Sequence, residues 1–170
     1  AAMFLKRGCP QWNGVISKTV VERLVEMEAQ IDGPEKKQAL TVLVFHLLFE
    51  SPHFLHPDHV TFLRTHRDAD PVAAHSLYFM VAQLMPGRLQ AGDVAWMVRS
   101  AQQEATLLPQ TLIVVEKILA THPVSVSQEN FETLIQQAIQ SQNRDAACMG
   151  YELLYGASLY QPSLISPRLI

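Results

Sequence analysis

Residues 39–49 read ALTVLVFHLLF, the most apolar run in the chain, interrupted only by Thr41 and His46. The run is too short to cross a bilayer, which takes about 20 residues. Val42 and Val44 are β-branched and would suit a buried strand. The flanks decide for a helix. Pro34-Glu35-Lys36-Lys37-Gln38 has proline at the first helical position and an acid beside it. The whole stretch from Pro34 to Glu50 exceeds an ordinary strand. A helix apolar on every side must be packed on every side. This one is therefore expected at the centre of the molecule, with Leu47 fully buried and His46 a buried histidine bonded to a neighbour.

Outward from this helix, the same signals recur. Ser17 is a candidate N-cap for a helix bearing Val20, Val21, Leu24, Val25 and Met27 on one face, stopping near Asp32-Gly33-Pro34. A short helix spans about 58–66. Asp68-Ala69-Asp70-Pro71 is a cap followed by proline, with Asp68 read as a cap residue. The helix after it places Ala74, Leu77, Tyr78, Val81, Leu84 and Met85 at helical spacing. Further helices are expected over 92–104, from Pro109 to His122-Pro123, from Ser127 onward, and from near Asn143. Gly150 and Gly156 weaken the last. The total is about eight helices with short connections, an all-α protein.

Length and composition bound the function. The 170 residues suffice for one domain with a real core, and 48% are hydrophobic, so a disordered chain is not expected. A formal charge of −3 with scattered basic residues gives no electrostatic case for nucleic acid or an anionic membrane. Cys9 and Cys148 are too few for a disulfide framework and point to an intracellular setting, nuclear or cytoplasmic. Ala1-Ala2-Met3 is no targeting segment, and the chain reads as part of something longer. It divides into an irregular segment at 1–16, a helical-repeat domain at 17–157 and an apolar tail at 158–170. The tail carries Leu159, Leu164, Ile165, Leu169 and Ile170, with Pro162 and Pro167 preventing a long helix.

Self-comparison carries the most information. The helix-ending prolines Pro52, Pro86 and Pro123 lie 34 and 37 residues apart. Aligned on them, the preceding helices match by column: Leu43, Leu77 and Val114; Val44, Tyr78 and Val115; Leu47, Val81 and Ile118. The following helices match at the same offsets: His59-Val60, Asp93-Val94 and Asn130-Phe131, then Leu63, Met97 and Leu134. A partial fourth copy from Ala146 pairs Leu153-Leu154 with Ile118-Leu119. One unit is a long apolar helix, a proline stop, a loop and a second helix. Such a unit cannot bury its apolar face alone, so units stack into an α-solenoid of helical hairpins.

Over about residues 39–154 this pattern resembles the HEAT and armadillo class of helical repeats. The Trp, Leu-Gly and Tyr signature of tetratricopeptide repeats is absent. The resemblance implies a non-enzymatic scaffold that binds protein partners along stacked second helices, within a larger assembly. Those helices, about 58–66, 92–104 and 128–141, carry the candidate contact residues Phe62, Arg64, Trp96, Arg99, Gln103, Gln136 and Gln140, with Trp96 as the anchor if it is partly exposed.

Two alternatives come from other classes. A nucleic-acid-binding repeat would use Arg64, Arg67, Arg88, Arg99 and Arg144. A co-chaperone or enzyme would be built on the His-rich loop. His56-Pro57-Asp58 matches the tripeptide of J-domain co-chaperones, but the preceding helix lacks the basic face, and a proline helix start explains it. His66-Arg67-Asp68 matches the kinase catalytic loop, but the Gly-rich loop, the ATP-binding lysine and Asp-Phe-Gly are absent. His53, His56, His59 and His66 lack nearby Cys partners for a zinc site. No cofactor or metal is expected.

Overall fold

In the computed structural model, which describes residues 17–121, 126–167 and 169, helices dominate the chain and the prolines set its rhythm. The described residues form eight α-helices and no strand: α1 (Lys18–Gln30), α2 (Pro34–Glu50), α3 (Pro57–His66), α4 (Pro71–Leu84), α5 (Ala91–Gln103), α6 (Leu108–Thr121), α7 (Gln128–Ile139) and α8 (Arg144–Tyr160). Each expected element from Ser17 onward is present within a few residues of its expected ends. The expected N-terminal segment, including Cys9, lies outside the described residues, as does Pro123.

Three connectors share one geometry. After α2, α4 and α8 the chain leaves the helical region at Ser51, Met85 and Gln161, with φ of −132°, −145° and −142° and ψ of 67°, 54° and 58°. A residue before proline is driven out of the helical region, which ends each helix there. The N–H of each donates back to Leu47, Val81 or Ala157 O at 2.7–3.0 Å. The prolines Pro52, Pro86 and Pro162 then open a single 3₁₀ turn, in which the N–H of Leu55, Leu89 and Ile165 donates to the proline carbonyl at 3.0–3.1 Å. Because the last turn begins at Pro162, it registers Leu153 with Val114. The sequence pairing of Leu153 with Ile118 is four residues out.

Caps follow the proline turns. His56 Nδ1 accepts from Asp58 N–H, and His59 Nδ1 accepts from His56 N–H at 3.1 Å. In the next unit Asp93 Oδ2 takes the place of the His59 ring and accepts from Gln90 N–H at 2.9 Å. Ser127 and Asn143 cap α7 and α8 as expected. Asp70, not Asp68, caps α4, by accepting from Ala73 N–H at 3.0 Å. Gly33 has φ of +98°, the one positive φ among the described residues, and there the chain reverses between α1 and α2.

Helices α2, α4, α6 and α8 pack side by side in chain order. Helices α1, α3, α5 and α7 each pack on the helix that follows, and α5 packs on α7. Equivalent positions bury equally on the faces that pack on a neighbouring helix: Val44, Tyr78 and Val115, and likewise Leu63, Met97 and Leu134, are all buried. The expected burial of α2 on every side is wrong. Leu43 is 45% exposed, Phe49 is exposed, and Leu47 and His46 are half-buried. Its core face is Thr41, Val44, Phe45 and Leu48, because no earlier helix of its layer precedes it among the described residues. The cost of about 2–5 kcal/mol for a core leucine truncation therefore belongs to Leu48→Ala, with Leu47→Ala below it in a urea melt. The tail docks on the chain itself: Leu164 is buried, and Ile165 and Leu169 pack against the core.

Gly150 marks the tightest crossing. A Cβ built there would sit 2.6 Å from Ala138 Cβ on α7, whereas one at Gly156 meets nothing within 4 Å. Gly150→Ala should lose up to about 2 kcal/mol, since overpacking outweighs the helix gain. Gly156→Ala should gain about 0.5–1 kcal/mol by helix propensity alone. Thermal melts of the two variants, shifted in opposite directions, would show this.

Candidate partner-binding surface

Helices α3 and α5 meet through a buried carboxylate. Asp93, in the first turn of α5, is 1% exposed. Its Oδ1 accepts from Arg64 Nε at 3.0 Å, Tyr78 OH at 3.1 Å and Arg67 Nη1 at 3.4 Å. Its Oδ2 accepts from Arg64 Nη2 at 2.9 Å as well as from Gln90 N–H. Arg64 Nη2 also donates to the Arg88 carbonyl. Burial, with the Asp93 charge beside it, pushes the Tyr78 hydroxyl pKa well up, so it stays a neutral donor.

Trp96 sits next to this pair, one turn along α5. Its ring lies 5.0 Å from His75 and 5.7 Å from Tyr78, with the Arg67 guanidinium 5.2 Å from its centroid. Its Nε1–H donates to Asp68 Oδ1 at 2.7 Å. Trp96 is thus a buried tie between α5 and the turn before α4, only 6% exposed, and not the exposed anchor that partner binding would need. Phe62 is buried as well, edge-on to Phe45 of α2 at 6.1 Å. Arg64 is committed to Asp93. Of the seven candidate contact residues, Arg99, Gln103, Gln136 and Gln140 are exposed.

Arg99 and Gln103 are brought together with residues that sequence reasoning gave other roles. They line a cleft of about 570 Å³ with Trp96 and Ser100 of α5. Asp68, Pro71, Glu104 and Leu107 complete its lining. Arg99 makes no hydrogen bond or ion pair among the described residues, whereas Glu104 accepts from the Thr106 hydroxyl at 2.8 Å. The cleft thus offers one cation unpaired among the described residues, two carboxylates and the apolar side chains of Pro71, Trp96 and Leu107. Gln136 and Gln140, on and just after α7, do not line it.

The histidines are dispersed. His66 Nε2 lies 3.2 Å from Glu28 Oε1 on α1, His53 stacks on Phe54, and His59 serves the α3 cap. Burial lowers the His59 pKa, with His56 adding to the effect, so its ring stays neutral and can accept. Among the described residues no three His, Cys, Asp or Glu side chains gather as a metal site requires. No helix among them is long and apolar enough to cross a membrane.

His75 is the most deeply buried histidine among the described residues. Thr111 donates its hydroxyl to Leu107 O at 2.9 Å, so the 3.4 Å contact with His75 Nε2 requires that nitrogen to carry the proton. Nδ1 is then a bare acceptor, buried without a partner. Burial lowers the His75 pKa from 6.5 to about 4, opposed in part by Glu104. Below pH 6.5 the unfolded chain takes a proton that the folded one refuses, so stability is full above that pH and is lost as pH falls toward 4. At 1.36 kcal/mol per pKa unit the loss is about 3 kcal/mol. His75→Leu should remove that part of the pH dependence of urea unfolding. An unchanged slope would mean that His75 titrates freely.

Compared with known proteins, the chain matches no protein-family model, no curated protein and no solved structure. Its function must therefore be argued from its own surface. Sequence reasoning missed Asp93 as the hub of this region. The available signal was an acid in a column held by His59 and Asn130 elsewhere, one repeat after Arg64 and Arg67.

Proposed function

We propose that this chain is a non-enzymatic interaction scaffold, an α-solenoid of HEAT-like hairpins that holds a protein partner within an intracellular assembly. The side-by-side order of α2, α4, α6 and α8, with a recurring proline turn, supports the solenoid. The cysteine usage supports the setting. The observation that carries the binding role is the cleft on α5, where Arg99, exposed and unpaired among the described residues, shares the lining with Gln103, Asp68 and Glu104. A cleft of mixed charge with apolar side chains in its lining suits a short segment of polypeptide, whose backbone and side chains supply both donors and acceptors.

The test is affinity purification with the wild-type chain and with Arg99→Glu combined with Gln103→Ala. Both substitutions are at exposed positions, so circular dichroism and melting should be unchanged. Specific partners should be lost from the double variant. Recovery of the same partners in the same amounts would remove the cleft from the interface. The nucleic-acid alternative is weakened because Arg64 and Arg67, two of its five arginines, are consumed by Asp93. A salt titration with single- and double-stranded probes separates the two readings, since phosphate contacts give a steep salt dependence.

A further inference from the structure

The two ends of the α2, α4, α6, α8 layer expose complementary faces. Aligned on the proline turns, Thr41, His75, Leu112 and Tyr151 fill one column. The first three are each 1% exposed, yet Tyr151 is 56% exposed. The column of Leu48, Ala82, Leu119 and Ser158 behaves alike: buried in α2 and α4, half-buried in α6 and exposed in α8. A column that opens only in the last helix faces forward, toward a following helix. A second set opens only in the first. Leu77, Val114 and Leu153 are buried where Leu43 is exposed, and Val81, Ile118 and Ala157 are buried where Leu47 is half-buried. These columns face backward.

Other exposed apolar residues do not follow this rule. Phe49 and Leu159 share a column with Gln83 and Ala120, exposed in all four helices, so they lie on the outer surface. The end faces are narrower. The forward face of α8 is Tyr151, Leu154 and Ser158, at i, i+3 and i+7; Tyr155 shares a column with Glu116, which is also exposed, and lies outside it. The backward face of α2 is Leu40, Leu43 and Leu47, at i, i+3 and i+7. Both are continuous stripes on one side of a helix.

We propose that the tyrosine face of α8 in one copy of this chain packs on the leucine face of α2 in a second copy, head to tail. The chain carries both halves of the contact: the same columns are buried in the helices that pack as α2 with α4, α4 with α6 and α6 with α8. The contact joins two different surfaces and leaves one of each free, so it does not close at a dimer. It rests on the repeat packing and not on the α5 cleft, so Arg99→Glu leaves the association unaffected and the two readings fail separately.

Sedimentation velocity of the full chain over a range of concentrations tests it. The wild-type mass should rise with concentration past that of a dimer. Leu43→Glu and Tyr151→Glu should each be monomeric throughout, with Ser158→Glu as the second variant on the tyrosine face. All three sites are exposed, and circular dichroism checks that the fold is kept. The decisive sample is an equal mixture of Leu43→Glu and Tyr151→Glu. The first keeps its tyrosine face and the second its leucine face, so the mixture should form a one-to-one dimer and nothing larger. A monomeric wild type would overturn the proposal and assign the end faces to a different polypeptide. So would a mixture that stays monomeric, or a dimer abolished by only one of the variants, which is a two-fold contact through a single face.

Discussion

Asp93→Ala should cost about 3–5 kcal/mol of folding stability, the scale seen when one member of a buried ion pair is removed. The substitution takes a small side chain from the first turn of α5, so little packing is lost. What remains is unfavourable. Arg64 and Arg67 are left at the α3–α5 contact without their counter-charge, Tyr78 loses the acceptor for its buried hydroxyl, and the Gln90 N–H loses its cap. A buried donor left unsatisfied costs about 1–3 kcal/mol by itself. Replacing the charges together is a different experiment: apolar substitution of a whole buried ion network is often neutral. Arg64→Met and Arg67→Met together with Asp93→Leu should therefore be less destabilised than Asp93→Ala alone. Urea unfolding measures both. A loss within about 0.5 kcal/mol for Asp93→Ala would mean the carboxylate is hydrated and the arginines are free, which would restore the nucleic-acid reading.

Trp96→Ala should cost about 3–5 kcal/mol, as large aromatic truncations in cores do. The indole fills the space between His75, Tyr78 and the Arg67 guanidinium, and its Nε1–H holds Asp68 of the turn before α4. Trp96→Phe keeps most of the apolar contact and loses the hydrogen bond, so about 1 kcal/mol is expected. The contrast between the two separates packing from the Asp68 bond. It also bears on the cleft, because Trp96 and Asp68 both line it. Loss of partner binding in Trp96→Ala would follow from the collapse of this support. The binding test therefore belongs to Arg99 and Gln103, which stand at the same cleft without holding the fold.

The helices were legible because their signals are local. Proline at the first position, a Ser, Asp or Asn cap and the i, i+3, i+4 spacing of α4 and α6 act within one or two turns, and all lie in the sequence. The recurring proline turn was legible for the same reason: a proline after an apolar helix sets the same non-helical residue and 3₁₀ turn at Ser51-Pro52, Met85-Pro86 and Gln161-Pro162. Tertiary structure decided which apolar and charged residues face what. The composition of α2 could not reveal that Leu43 is open to solvent while the equivalent Leu77 is fully buried, because the difference lies in whether a neighbouring helix is there. Nor could it show that Arg64 and Arg67 turn inward to Asp93, more than 25 residues away in sequence, while Arg99 stays unpaired among the described residues. Charge, hydropathy and spacing are properties of the chain. Exposure and pairing belong to the packed molecule, where a partner 30 residues distant can turn a surface arginine into a core contact and an interface tryptophan into a structural tie.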